Sequence, residues 1–161
     1  MNYFYVAQTF VEDSRMDVSD FCDRIIHPLS RIKQISSLYI LLHPRSCRDL
    51  YEKLSLCYPI SFSFYGDTEI SFADVFIGHY STLLFKLILS RHKVLLLDPI
   101  WDPIPQAAIE SSSWYIKYRD PSLCDVDVNN LMFSEPSPEF NSIFIDQISS
   151  NVSNLSSILN L

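Results

Sequence analysis

Glycine is almost missing from this chain: its 161 residues include only Gly66 and Gly78. Dinucleotide and P-loop phosphate cradles each need several glycines close together, so both are excluded. If a nucleotide binds, helix ends and side chains must hold its phosphate. Cysteine is present but unpatterned. Cys22, Cys47, Cys57 and Cys124 show no C-x-x-C or Cys/His metal spacing and read as reduced thiols of a cytosolic protein. Positive charge is scarce, with 12 Lys and Arg against 19 Asp and Glu, a net charge of −7 and a pI of about 4.9. That balance argues against unaided binding to nucleic acid or to an anionic membrane surface. No apolar run is long enough to span a bilayer, and no signal-peptide pattern is read at the N-terminus.

What is present is core-forming material. The chain is 48% hydrophobic and 14% aromatic, with 19% charged residues, which suits one folded domain over residues 1–161 rather than a disordered segment. Tyr3 to Phe10 reads as a strand central in a sheet. Ser19 or Asp20 is expected to cap a helix running to about Ile35, with Pro28 kinking or breaking it. Ser37–Leu42 and Ala73–Ile77 are short apolar runs of the kind buried on both faces of a parallel sheet. A helix from Cys47 to Leu56 is expected to carry Leu50, Leu54 and Leu56 inward. Pro59–Phe64 and Lys93–Leu97 read as further strands, and Leu83–Leu89 as a buried helix. Ile104–Tyr118 holds a short helix and strand, Pro121–Pro138 a loop, and 140–161 a C-terminal helix. Alternating strands and helices predict an α/β, Rossmann-like parallel sheet with helices on both faces.

In such sheets ligands bind beyond the carboxyl ends of the strands, and three polar clusters fall there: Glu12-Asp13, His43-Pro44-Arg45 and His79-Tyr80-Ser81-Thr82. Ser81 and Thr82 open a helix whose first N–H groups have no partner within it, a cradle for an anion; either hydroxyl could equally serve as the helix cap. His43, after a strand and before Pro44, could donate to a phosphate with Arg45 adding charge, or simply cap. The comparable pair His27-Pro28 lies inside a helical pattern and is given no role. Glu12 and Asp13 are either a solvated turn or the source of a general base. As adjacent carboxylates they are expected to raise each other's pKa. His79 and His92 read as structural. Asp67 and Glu69 are either ribose contacts or surface-turn residues.

Taken together, the segments Val6–Ser14, Tyr39–Arg45 and Phe76–Phe85 resemble glycosyltransferase family 52, the bacterial lipooligosaccharide sialyltransferases and their relatives. The family pattern is an acidic pair followed by glycine, then His-Pro, then Ser-Ser or Ser-Thr, in that order; here Ser14 stands at the glycine position. The resemblance covers residues 3–100 and is to the C-terminal, nucleotide-binding half of a two-domain GT-B enzyme, with the N-terminal acceptor domain not represented. It implies transfer of sialic acid from CMP-sialic acid to a terminal galactose, without a metal or other cofactor. By position, Asp13 would be the general base. His43 would contact the CMP phosphate and assist the leaving group, Pro44 and Arg45 would shape and charge the same site, and Ser81 and Thr82 would bind that phosphate. Glu69 is carried as a ribose contact. Expected partners are the nucleotide-sugar donor and a glycan or glycolipid acceptor, together with a second copy or a separate chain supplying the acceptor domain. The expected location is the cytoplasm, with any contact with the inner membrane peripheral. The alternatives are a related transferase using CDP-glycerol or a UDP-sugar, or a non-catalytic domain.

Overall fold

A computed structural model describes residues 1–32, 35, 38–79, 81–98, 104–116, 127–133 and 135–142. Its strands are β1 (Tyr3–Val6), β2 (Leu38–Leu42), β3 (Ile60–Phe64), β4 (Val75–Gly78), β5 (Lys93–Leu97) and β6 (Trp114–Ile116). They form one six-stranded sheet in the order β3-β2-β1-β4-β5-β6, and every neighbouring pair is parallel. The chain fills one side of β1 with β2 and β3, then crosses back to lay β4, β5 and β6 on the other. The change of direction falls between β1 and β4, where a doubly wound sheet opens a crevice at its carboxyl edge. This is the α/β, Rossmann-like architecture expected from the alternation of elements.

Alternate side chains of the central strands enter two separate cores, as a two-residue period requires. Tyr5, Ile40, Ile77 and Leu95 point to the face covered by Phe21, Ile25, Leu29, Tyr51 and Leu54. Phe4, Val6, Leu41, Phe76 and Leu96 point to the other, covered by Leu84, Phe85, Ile88, Ala108 and Phe140. Helices α1 (Val18–Phe21), α2 (His27–Ser30) and α3 (Arg48–Cys57) lie on the first face. The second carries α4 (Thr82–Leu89) and α5 (Gln106–Ser111). Burying a side chain such as Phe85 or Ile88 is worth roughly 1.5–3 kcal/mol, so α4 is held chiefly by its apolar face.

Several expectations are corrected. The first strand stops at Val6 rather than Phe10, because the chain turns: Asp13 N–H bonds Thr9 O at 2.8 Å and Arg15 N–H bonds Phe10 O at 2.9 Å. The helix expected from Ser19 or Asp20 is capped by Asp17, whose side chain accepts the Asp20 N–H. It does not run evenly to Ile35. A widened π turn, Cys22–Ile26, joins α1 to α2 and ends two residues before Pro28, which lacks an N–H and whose ring would strike the carbonyl four residues back in a regular helix. Leu56 does not face inward but is 87% exposed; Tyr51 takes the inward position with Leu54. β4 begins two residues later than expected because Asp74, 1% exposed, accepts the N–H groups of Asn2 and Ser71, each at 2.8 Å. Of the C-terminal helix expected over 140–161, residues 140–142 are helical, in a segment that begins earlier, at 138; 143–161 lie outside the described residues, as do Ser37, Tyr80, Cys124 and most of the loop expected from Asp98 to Pro103. Among the described residues no helix is long and apolar enough to cross a membrane.

Candidate functional site

A cleft of about 590 Å³ opens at the carboxyl edge of the sheet, lined from the ends of β1, β2 and β3 and from the start of α4. Asp13, His43, Pro44, Arg45, Ser81 and Thr82 all line it. Residues from three separate segments, singled out as strand-end clusters, therefore meet in one space, at the crossover between β1 and β4. Glu69 is exposed and is not in the cleft wall, so the ribose role read for it has no support here. Tyr65 lines the cleft instead, while Asp67 borders a separate small hollow beside Phe62 and Arg48.

The His-Pro pair is built as a turn. Ser46 N–H bonds His43 O at 2.8 Å, which puts Pro44 at the second position, where its fixed φ is favourable. Pro44 has no N–H, so the first amide after His43 belongs to Arg45, and it donates to His43 Nδ1 at 3.1 Å. An accepting Nδ1 leaves the ring proton on Nε2. His43 is exposed and so presents Nε2–H as a donor.

The acidic pair divides its work. Glu12 Oε1 accepts the Cys47 N–H at 2.7 Å and so caps α3. Asp13 faces the cleft, where Thr9 Oγ1 donates to its Oδ2 at 2.6 Å. Arg45 Nη1 donates to Oδ1 at 3.1 Å and Nη2 to Oδ2 at 3.3 Å. The Thr9 hydroxyl, and then the Arg45 guanidinium, hold the Asp13 pKa below its ordinary value. That corrects the expectation that repulsion between the two carboxylates would raise it: Glu12 points to a helix start, and Asp13 is surrounded by donors.

The Ser-Thr pair divides as well. Ser81 is the N-cap of α4, its Oγ accepting the Leu84 N–H at 3.2 Å, so the capping reading holds for this residue. Its hydroxyl proton stays free to donate. Thr82 is exposed as the first residue of the helix, and the N–H groups of Thr82 and Leu83 are those a helix leaves unbonded. Gly78 lets α4 start so close to the sheet: a Cβ there would lie 3.0 Å from Leu84 Cδ1 and 3.2 Å from Val6 O.

Two cleft cations escaped the sequence reading, as did Thr9 and Tyr65. Lys86 lies one helical turn after Thr82, and Arg15 follows the acidic turn. The spacing of four between Thr82 and Lys86 puts them on one helix face, a signal that the surrounding apolar residues obscured. Among the described residues neither Arg15 nor Lys86 has a salt-bridge partner. The cleft thus gathers three cations, Arg15, Arg45 and Lys86, around one carboxylate, Asp13, within a chain of net charge −7. Its field suits an anionic ligand.

No family model, curated protein or solved structure matches this chain.

What the site can do follows from its own side chains. His79 stands just outside it, 2% exposed, with Nδ1 3.1 Å from Leu97 O and its ring packed edge-on to Phe10. Burial pushes its pKa down to about 4, so it is a neutral brace between the ends of β4 and β5. His92, beyond the opposite edge, is stacked on Phe72. Among the described residues no group of three or more His, Cys, Asp or Glu side chains is placed to hold a metal ion. Cys22, Cys47 and Cys57 are free thiols.

Proposed function

We propose that this chain is the donor-binding domain of a glycosyltransferase of the sialyltransferase type resembling family 52, taking a CMP-sugar in the cleft at the β1–β4 crossover. The observation that carries the reading is the meeting of Asp13, His43, Arg45, Ser81 and Thr82 in a single cation-rich cleft. In this reading the phosphate lies against the start of α4, taking hydrogen bonds from the Ser81 and Thr82 hydroxyls and the first free amides of the helix. His43 donates from Nε2 to a phosphate oxygen, which stabilises charge as the bond from phosphate oxygen to sugar breaks. Asp13 receives the proton of the acceptor hydroxyl as its oxygen bonds to the sugar carbon. Lys86 and Arg15 supply further positive charge, and Tyr65 offers a ring face at the rim for a base. The GT-B reading puts the acceptor site on a second domain, so transfer requires that unit as well.

Titration of the chain with CMP, followed through the amide signals of Ser81 and Thr82, tests the proposal. The expected result is saturable shifts at both, with affinity falling at least about tenfold in His43→Ala, the loss expected for one charge-assisted hydrogen bond. Absence of a saturable response at millimolar CMP overturns the reading. CDP-glycerol and UDP-sugars as parallel ligands separate it from a transferase using another donor.

A further inference from the structure

Asp13 is held by two groups of different kinds. Thr9 is 6% exposed and sits in the same turn, its backbone carbonyl bonded to the Asp13 amide and its hydroxyl to Oδ2. Arg45 comes from the β2 turn on a side chain that is 65% exposed, and its Nη1 covers Oδ1 at 3.1 Å. With Arg45 in place both Asp13 oxygens accept charge-assisted hydrogen bonds, an arrangement that favours the ionised carboxylate and disfavours taking up a proton. Without it Thr9 would still orient the carboxylate, and Oδ1 would be open.

We propose that Arg45 exchanges partners: a phosphate ester seated beside His43 takes the guanidinium away from Asp13, and this uncovers Oδ1 as the proton acceptor. The exchange rests on the reading of the cleft as a phosphate site, and it is independent of which nucleotide or sugar is carried. Three features favour it. An ion pair this exposed contributes little net stability, so an anionic phosphate with two unesterified oxygens competes well for a planar, forked donor. The Arg45 backbone is anchored to His43 Nδ1, so the guanidinium swings from a base that is already beside the phosphate-binding imidazole. The other cation near Asp13, Arg15, acts on it only through its charge, so its presence does not block Oδ1. Arg45 is thus a positioning residue that couples arrival of the anion to release of the base.

A double-mutant cycle on the full chain at neutral pH, with inorganic phosphate as the probe, tests the exchange. Asp13→Asn keeps an oxygen for Thr9 while removing the charge that competes for Arg45. It is expected to tighten phosphate binding about fivefold when Arg45 is present, the scale of an exposed ion pair, and by less in an Arg45→Gln background. If Arg45 never leaves Asp13, the order reverses: the unneutralised carboxylate of Arg45→Gln repels phosphate more, and its removal then matters more. The side-chain nitrogen signals of Arg45 should also follow the phosphate binding curve, and Arg45→Lys should restore part of the affinity lost in Arg45→Gln. Arg45 signals unmoved by saturating phosphate, absence of phosphate binding, or an equal or larger Asp13→Asn effect without Arg45 each overturn the exchange. A second arm with CMP separates the two ideas. Phosphate binding that moves Arg45, with CMP ignored, leaves the exchange standing and removes the CMP donor; CMP binding with Arg45 unmoved does the reverse.

Discussion

Glu12 Oε1 accepts the Cys47 N–H at 2.7 Å across a separation of 35 residues in the chain, so the turn after β1 caps the helix after β2. Cys47 occupies the N-cap position of α3 with no side-chain hydrogen bond of its own. By accepting the N–H of this N-cap residue, Glu12 supplies from a distance the bond that a Glu or Gln at the third helical position makes in a capping box. The carboxylate also sits where the dipole of α3 favours a negative charge. One consequence is that the strand-end turns of β1 and β2 are tied together on both sides, by Glu12 to Cys47 and by Asp13 to Arg45.

Glu12→Ala should therefore lower stability by about 1–2 kcal/mol, the scale of a hydrogen bond to a charged group at a partly exposed site, measured by urea or thermal unfolding. Asp13→Ala, which removes an exposed ion pair, should cost less in stability and act mainly on ligand binding. Equal destabilisation by both substitutions would show that the division of the acidic pair is wrong.

Ser14 has φ of 55°, in the left-handed region that costs a residue with a Cβ roughly 1 kcal/mol or more. The surrounding bonds explain the angle: Arg15 N–H reaches Phe10 O and Ser14 N–H reaches Val11 O. These are the two bonds of a turn whose closing residue is most often glycine. Ser14→Gly should raise stability by about 1 kcal/mol with the cleft intact, read as a higher unfolding midpoint. Under the proposed transferase reading glycine is expected at this position, and the backbone angle here is one that glycine adopts without strain. No gain in stability would mean that Ser14 makes compensating contacts.

Gly78→Ala should act in the opposite direction. The new Cβ would press on the Val6 carbonyl at 3.2 Å, which belongs to the sheet and cannot yield, and on Leu84 at 3.0 Å. Overpacking of this kind costs about 1–3 kcal/mol, and the element free to move is the start of α4. Stability and the amide shifts of Ser81 and Thr82 should change together. Lost stability with those two amides unmoved would mean that the strain is relieved elsewhere.

How far the sequence could be read depended on the range of the determining contact. Lys93–Leu97 was legible to the residue because a β-branched and leucine run buried on both faces has no competing structure. The convergence of His43 with Ser81 was legible because strand ends in an alternating α/β chain share one edge. The division of labour between Glu12 and Asp13 was not, since it depends on an amide 35 residues away. Nor was the choice of Asp17 over Ser19 or Asp20 as the cap of α1, because all three are good cap residues. Leu56 misled because its residue type suggests the core, while the period of α3 puts Tyr51 and Leu54 there and turns Leu56 outward.

His79 gives the fold a pH dependence whose sign can be worked out. Its ordinary pKa is 6.5 and burial lowers it to about 4 in the folded chain, so the unfolded chain binds a proton at pH values where the folded chain does not. Folding is then fully supported above pH 6.5 and loses that support as pH falls toward 4. A difference of this size corresponds to a loss on the order of 3 kcal/mol across the window. His92, also lowered by burial, adds in the same direction, so the slope of the wild type alone does not isolate His79. His79→Gln does, because glutamine does not titrate and can still donate to Leu97 O. Urea unfolding at a series of pH values should show the variant less stable than wild type near neutrality, where imidazole packing on Phe10 is lost, yet with a clearly flatter decline between pH 6.5 and 4. Parallel declines in the two proteins would show that His79 is not kept neutral by its burial, and would leave the brace between β4 and β5 without its electrostatic basis.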